Sequence, residues 1–295
     1  MKKVSCNVLM IFFLMAPQFS TLGQTKTQEN QLNQKNLLLS LGWTNTTFRD
    51  FATSPLFYRG SGFSLSYEKQ TINQKSEINW GFSPLFSSTQ ACIAKSDYLQ
   101  ERAFSAFISM DGYLKYYRDL PRISSEKIQF KAGGTVLATQ NIRINESLLN
   151  SAFGVETFLN LMVSAKADID ISQKEEKTIH LWFLKIKQNP SKQKLSFQTD
   201  IGLLNFNHRP SYNYVYFDEI DDNYTNELFA LKEHYDWSLN GYRFGTKIEY
   251  SKFAPTGNGF KIAYIWDMTN APGKHQTFQM ATHRIQYTLI INKNK

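Results

Sequence analysis

The chain of 295 residues has few cysteines and no long apolar run. Cys6 precedes the apolar stretch of a predicted signal peptide, so removal of that peptide leaves only Cys92 and excludes an internal disulfide. The apolar stretch, residues 8–16, is shorter than the roughly 20 residues that a membrane helix requires. A mean hydropathy of −0.40 also excludes a helical membrane protein.

Blocks of basic residues and common catalytic motifs are absent as well. The formal charge of +8 is spread along the chain, which argues against a nucleic-acid-binding protein. The sequence contains neither a Gly-x-Ser-x-Gly motif nor a His-Glu-x-x-His motif. Cys92 lies in a polar stretch without a nearby histidine, which favours a passive loop residue over a nucleophile. We therefore expect no cofactor and name no catalytic residue.

The first residues have the features of a secretory signal peptide. Lys2 and Lys3 form a positive region, residues 8–16 form an apolar region, and residues 21–23 supply a cleavage site of small residues. We predict a signal peptide at residues 1–23, a flexible polar segment at residues 24–36 and a single domain at residues 37–295.

The most regular pattern is the alternation of apolar and polar residues from Phe153 to Ile171. Side chains of a strand point to opposite faces in turn, so the segment predicts a strand with one apolar and one polar face. It exceeds the usual soluble strand of about 5–6 residues and is long enough for the 9–11 residues, roughly, that cross a bilayer.

Similar alternating runs recur along the chain. They cover residues 37–43, 63–67, 78–82, 104–116, 128–138, 153–171, 180–186, 195–203, 242–250, 260–266 and 285–291. Bacterial membrane barrels have an even number of strands, short inside turns and longer outside loops. On this rule residues 45–60, 87–101, 218–236 and 269–277 lie outside, and residues 69–76, 119–127 and 251–257 lie inside. These assignments agree only with one more crossing, which we assign to residues 211–217 after a turn at residues 207–210.

With the signal peptide, this pattern resembles an outer-membrane β-barrel protein of Gram-negative bacteria. The resemblance is one of architecture and covers the mature chain. It implies an all-β fold, a closed antiparallel up-and-down transmembrane β-barrel of about 12 strands, present as a monomer in outer-membrane lipid. A secreted soluble β-protein with an apolar core is the alternative, because alternation alone does not show which face lies inside.

In a barrel of this kind the polar parity lines the lumen. The predicted lumen-lining residues are Asp111, Lys115, Lys131, Glu156, Asn160, Lys166, Asp168, Arg243, Lys247, Glu249 and Arg284. Two interpretations are open: ion pairs that fill a narrow interior, or a water-filled pore whose lining sets selectivity for small solutes. Phe107, Phe158 and Met162 share the lumen parity and favour a filled or constricted interior.

A dense acidic cluster in a predicted outside loop is a candidate metal site. It consists of Asp218, Glu219, Asp221 and Asp222. Hard cations such as calcium bind several oxygen ligands, which this cluster can supply. A solvated acidic loop is the favoured interpretation, because the spacing is not that of a known calcium loop.

Three functional hypotheses follow. The first is a narrow or gated channel for small solutes, or a structural component of the membrane. The second is a cell-surface binding module that uses the outside loops 45–60 and 218–236. The third, which we favour least, is a lipid-acting enzyme. His208, Arg209 and Ser211 are close in sequence, but they fall at a predicted inside turn.

Overall fold

The computed structural model describes residues 33–95, 100–145, 153–173, 177–181, 184–188, 190–210, 235–273 and 277–293. Among these residues no helix is long and apolar enough to cross a membrane. The strands are β1 (Gln34–Asp50), β2 (Ser54–Ile72), β3 (Ser76–Lys95), β4 (Gln100–Asp119), β5 (Ile128–Ile144), β6 (Phe153–Asp170), β7 (Lys177–Leu181), β8 (Leu184–Gln188), β9 (Lys192–Pro210), β10 (Tyr235–Leu239), β11 (Tyr242–Phe253), β12 (Gly259–Pro272) and β13 (Thr277–Asn292).

Ten strands close into an antiparallel barrel within the described part of the chain. Their order around the wall is β9, β11, β12, β13, β1, β2, β3, β4, β5 and β6, and pairing of β6 with β9 completes the ring. β1 and β6 are therefore diametrically opposite. Closure pairs the strand edges of the wall, as a structure surrounded by lipid requires.

The prediction of about twelve strands is wrong. Residues 180–186 do not form a barrel strand, because β7 and β8 pair with each other as a separate two-stranded sheet. Each has five residues, too few to cross a bilayer, which takes about 9–11. Without this crossing the count is already even, so the barrel does not require a strand at residues 211–217, which lie outside the described residues.

Several predicted connections are also strand. In residues 87–101, β3 continues to Lys95 and β4 begins at Gln100, so Cys92 lies on a strand and not in a loop. Residues 45–60 are not a loop, because β1 continues to Asp50 and β2 begins at Ser54. Residues 207–210 are not an inside turn, because β9 continues to Pro210 at the opposite end of the barrel. At these ends apolar and polar residues no longer alternate cleanly, although the strands remain paired. β1 also begins at Gln34, within the segment predicted to be flexible.

A bulge in β9 reverses which of its residues face inward. Leu161 pairs with Leu204 whereas Met162 pairs with Gly202, so β9 has an extra residue at this point. As a result Leu203 and Leu204 are both exposed, at 60% and 53%. Asp200 faces inward before the bulge, and Asn205, Asn207 and Arg209 face inward after it.

β10 and β11 pair with successive parts of the same strand, β9. β10 pairs with the part of β9 beyond the bulge, and β11 pairs with the part before it. Asn240 and Gly241 separate the two strands, and Gly241 has a φ of 84°, which only glycine adopts readily. β10 thus adds an eleventh strand to the sheet without widening the ring.

The outer face of the barrel is apolar across the band that faces lipid, and most of the inner face is polar. Leu41, Trp43 and Phe63 point outward and are 59%, 56% and 50% exposed, whereas Glu77 and Glu156 are completely buried inside. This polarity is the reverse of that in a soluble protein and matches a wall that faces hydrocarbon. The alternative of a soluble protein with an apolar core is therefore wrong.

The two ends of the barrel differ in their connections. The turns at residues 73–75, 120–127 and 254–258 lie at the end where β1 begins and β13 finishes, which we call the inner end. The turn at residues 51–53 lies at the opposite end, which we call the outer end, and so do Pro210 and Tyr235. This grouping of connections agrees with the one predicted from the sequence.

Candidate functional site in the barrel interior

Aromatic side chains fill the outer half of the lumen. They are Phe48, Tyr58, Phe107, Phe158 and Phe278, from five different strands, and each is 2% exposed or less. Phe48 stacks on Tyr58 and on Phe107 with 5.2 Å between ring centroids, and Phe158 stacks on Phe278 at 5.6 Å. Leu85 and Met280 complete the same apolar cluster. We call the five aromatic residues the aromatic plug.

Two arginines and two carboxylates pack together near the plug. We call Asp50, Arg143, Glu156 and Arg209 the outer charge cluster. Arg143 donates from Nη2 to Asp50 at 2.6 Å and from Nε to Glu156 at 2.8 Å. Arg209 donates from Nη2 to Asp50 at 2.5 Å and from Nη1 to the carbonyl oxygen of Ala271 at 2.9 Å. All four cluster side chains are buried, and their formal charges cancel.

The outer charge cluster joins opposite walls of the barrel. Asp50 lies on β1, whereas its two arginine partners lie on β5 and β9, the strands on either side of β6. The Arg143 guanidinium also lies over two rings of the plug, 5.5 Å from the centroid of Phe48 and 5.7 Å from that of Phe278. Plug and cluster therefore form one packed unit across the full width of the lumen.

Toward the inner end the lumen contains a polar cavity of about 130 Å³. Charged side chains in its lining include Glu68, Asp111, Lys115, Arg243, Asp267 and Arg284. Arg243 donates to Asp267 from Nε at 3.2 Å and from Nη2 at 3.0 Å. The volume is well above the roughly 10–15 Å³ that admits one water molecule. The middle of the lumen therefore has room for several water molecules.

A second group of buried charges lies near the inner end. We call Glu77, Lys131, Lys166, Asp168 and Lys194 the inner charge cluster. Glu77 accepts hydrogen bonds from Lys131 at 2.9 Å and from Lys166 at 2.7 Å, and Gln70 and Asn79 donate to it at 2.8 and 3.0 Å. Asp168 lies 3.3 Å from Lys131 and 3.4 Å from Lys194. Both carboxylates thus have more than one cationic partner.

The eleven predicted lumen residues all have the inward parity of their strands. Glu156 belongs to the outer charge cluster, and Lys131, Lys166 and Asp168 belong to the inner one. Asp111, Lys115, Arg243 and Arg284 line the cavity, and Asn160 accepts a hydrogen bond from Arg243 at 3.2 Å. Lys247 pairs with Glu249 at 2.5 Å, and the same carboxylate lies 3.1 Å from Lys261.

Sequence reasoning missed several charged residues of the interior, including Glu68 and Lys194. Glu77 and Asp200 lie at the polar positions of predicted alternating runs, so the alternation was sufficient to predict that both face the lumen. Asp50 was assigned to a loop, although Thr44, Thr46 and Phe48 continue its parity. The sequence pattern did not indicate that Arg209 faces the lumen, because the bulge at Leu203 and Leu204 reverses the parity of the residues that follow it.

The structure does not assemble a catalytic or metal site from the residues that it describes. His208 points outward and stacks on Trp237 at 4.0 Å between ring centroids, whereas Arg209 points into the lumen. Within the described ranges, no three His, Cys, Asp or Glu residues are grouped to hold a metal ion. Asp218, Glu219, Asp221 and Asp222 lie outside those ranges, so the cation site remains a prediction.

No known protein family and no curated protein matches this chain. Several solved structures are similar to it at low TM-scores. The outer membrane protease OmpT from Escherichia coli is 6% identical, with 88% of this chain and 96% of that chain covered and a TM-score of 0.46. The translocator domain of the autotransporter NalP from Neisseria meningitidis is 6% identical over 86% and 88%, with a TM-score of 0.34. An outer membrane channel from Pseudomonas putida F1 is 7% identical over 92% and 100%, with a TM-score of 0.29.

These three proteins differ in activity, and the similarities extend to general architecture alone. The assignment of the fold rests on the closed ring of strands and on its apolar outer face. The fold is that of a transmembrane β-barrel.

Proposed function

We propose that this protein is a Gram-negative outer-membrane barrel that is closed at rest and acts at the cell surface through its outer end. The observation that carries the proposal is the aromatic plug, packed under ion pairs that cross the lumen. Open porins keep a water-filled lumen of sixteen or more strands, whereas smaller barrels fill theirs with side chains. A standing pore for solutes is not compatible with this packing.

The outer end supports a role in binding. Its wall continues past the apolar band, because Asn45, Thr47, Ser61 and Ser88 are polar and point outward there. The segment between Pro210 and Tyr235, which carries the acidic cluster, starts and finishes at this end. Loops fixed on a rigid wall are common binding surfaces. The contact surface in this proposal comprises the outer turn at residues 51–53 and the predicted outside loop 218–236.

A gated channel is the second candidate. The polar cavity favours it, because Lys115, Arg243, Asp111 and Asp267 would offer both signs of charge to a small solute. Passage would require displacement of the plug and separation of Asp50 from both arginines.

Planar-bilayer recordings test whether the barrel is closed. The wild-type protein should show no stepwise conductance, whereas Phe107→Ala/Phe158→Ala should conduct because it removes two rings of the plug. Phe82→Ala/Phe104→Ala is the matched control, since both rings point outward, and it should stay silent. Folding of each variant is checked by heat-modifiable gel migration. Wild-type conductance would contradict the closed barrel, and opening of the wild type by voltage alone would support the gated channel instead.

An epitope inserted between Asp221 and Asp222 tests the orientation. Antibody should label it on intact cells if the outer end faces the medium. Labelling only after permeabilisation of the outer membrane would contradict the proposed cell-surface role.

A further inference from the structure

The outward-facing charges of the barrel have one sign. Wherever the structure describes their side chains, the carboxylates of the barrel strands have the lumen parity. The outward-facing charged residues are basic and occur in two groups. Arg49, Arg59 and Arg102 lie toward the outer end, and Lys35, Lys69, Arg118 and Lys252 lie toward the inner end. The apolar band separates the two groups.

The outer group is contiguous across four neighbouring strands. Arg59 pairs in register with Gln90, and Arg102 donates from Nη1 to Gln90 Oε1 at 3.0 Å. Phe57 lies between Arg49 and Arg59. Its ring centroid is 4.1 Å from Cζ of Arg49 and 5.9 Å from Cζ of Arg59. Stacking on an aromatic ring holds a guanidinium in place while its edge stays available for hydrogen bonds.

These residues border an open groove on the outer surface. The groove has a volume of about 420 Å³ and is lined by Phe57, Arg59, Gln90, Ala91, Cys92 and Arg102. Phe57, Arg59, Cys92 and Arg102 are exposed. Among the side chains that the structure describes, the charged groups on this face are arginines, which gives the groove a positive charge suited to an anion.

The height of the groove matches the headgroup layer of a membrane. Trp43, Phe63 and Phe86 lie just below it as exposed aromatic residues, and Phe63 stacks on Phe86 at 5.2 Å. Aromatic girdles of this kind mark the boundary of the apolar band. Arg59 is four residues beyond Phe63 on β2, on the order of 10 Å along a tilted strand.

We propose that this groove binds the phosphate headgroup of an outer-leaflet lipid, with Arg59 and Arg102 as the main phosphate contacts. Guanidinium groups donate two parallel hydrogen bonds to phosphate, which makes arginine the preferred residue for this recognition. The apolar wall directly below gives the acyl chains of the same molecule a surface to lie on. That second contact favours a lipid over a free phosphate ion. The assignment to the outer leaflet rests on the proposed orientation of the barrel.

Alkylation of Cys92, which lines the groove, provides a local readout of binding. The protein is placed in nanodiscs that contain a bis-phosphorylated glycolipid or its dephosphorylated form, and modification of the Cys92 peptide is followed by mass spectrometry. The phosphorylated lipid should slow alkylation of the wild-type protein by about tenfold at a concentration ten times the dissociation constant. The dephosphorylated lipid should give little protection.

Matched variants separate the groove from general charge. Arg59→Gln/Arg102→Gln should lose the protection, whereas Lys69→Gln/Arg118→Gln should keep it, because it removes two outward charges from the same strands at the inner end. Equal loss in both variants, or equal protection by the dephosphorylated lipid, would overturn the proposal. Protection by inorganic phosphate alone would assign the groove to a free anion and would also overturn it. None of these outcomes depends on the conductance recordings or on the epitope experiment. The lipid-binding groove and the proposed function of the barrel can therefore be contradicted independently.

Discussion

The outer and inner halves of the lumen bury similar charges in different surroundings. In the outer half, Asp50, Arg143, Glu156 and Arg209 lie with stacked aromatic rings near them. In the inner half, Glu77 and Asp168 each have several ammonium partners. A buried ion is costly when its partner is lost and no water or second partner replaces it. The cost of removing one charge should therefore be higher in the outer charge cluster than in the inner one.

Deletion of Leu204 should have the largest effect, because it removes the bulge that gives the outer cluster one of its arginines. Without the extra residue, Asn205, Asn207 and Arg209 turn from the lumen to the outside. Arg209 then loses its ion pair with Asp50, and its guanidinium no longer lies over the ring of Phe278 in the aromatic plug. We expect the protein not to reach its folded, heat-modifiable form on gels. Leu204→Ala is the control: it keeps the residue count and shortens an exposed side chain, so it should fold. Equal folding of both variants would exclude this role for the bulge.

Arg143→Met should destabilise the barrel by about 3–5 kcal/mol, because Glu156 remains as a buried carboxylate without its ion-pair partner. Urea unfolding in detergent micelles measures the loss. The double variant Arg143→Met/Glu156→Gln should recover part of it, since Asp50 still pairs with Arg209. A double variant no more stable than the single one would show that an unpaired charge is not the cause.

Lys166→Met should cost about 1–3 kcal/mol, less than the change at Arg143. Glu77 keeps the hydrogen bonds from Lys131, Gln70 and Asn79, so its charge remains compensated. The same unfolding experiment compares the two variants. If Lys166→Met proves as harmful as Arg143→Met, the two halves do not differ in the way described.

Lys115→Met should have the smallest effect, within about 1 kcal/mol. Its ion pair with Asp200 is 3.4 Å long, the lysine is 20% exposed, and both residues line the polar cavity. Asp200 also keeps a hydrogen bond from Gln198 at 2.6 Å. Unfolding at low and high salt should show that even this small effect shrinks as ions screen the pair. A larger loss than for Lys166→Met would contradict the order of the series.

Much of the wall was predictable from the sequence. A strand surrounded by lipid must alternate strictly, so Leu159, Leu161 and Val163 point outward and Asn160 points inward, as their parity indicates. The same rule placed Phe107, Phe158 and Met162 in the lumen, where all three are buried. The sequence therefore indicated that apolar side chains fill part of the lumen.

The errors arose where lipid does not constrain the chain. Residues 45–50 and 54–60 are paired strands beyond the apolar band, but they were assigned to a loop because their alternation is weak. Residues 180–186 alternate no better, and their two short strands pair locally. In these regions hydrogen bonding between strands, which hydropathy does not report, sets the structure.

Local pattern was enough to predict strands with one apolar and one polar face, because side-chain direction in a strand depends only on position along it. The number of strands, the direction in which the apolar face points and the meeting of Asp50 with Arg143 and Arg209 depend on closure of the ring. Closure sets residues 93 and 159 positions apart on facing walls. Such contacts are fixed by strand order and register, which no segment of the chain carries alone.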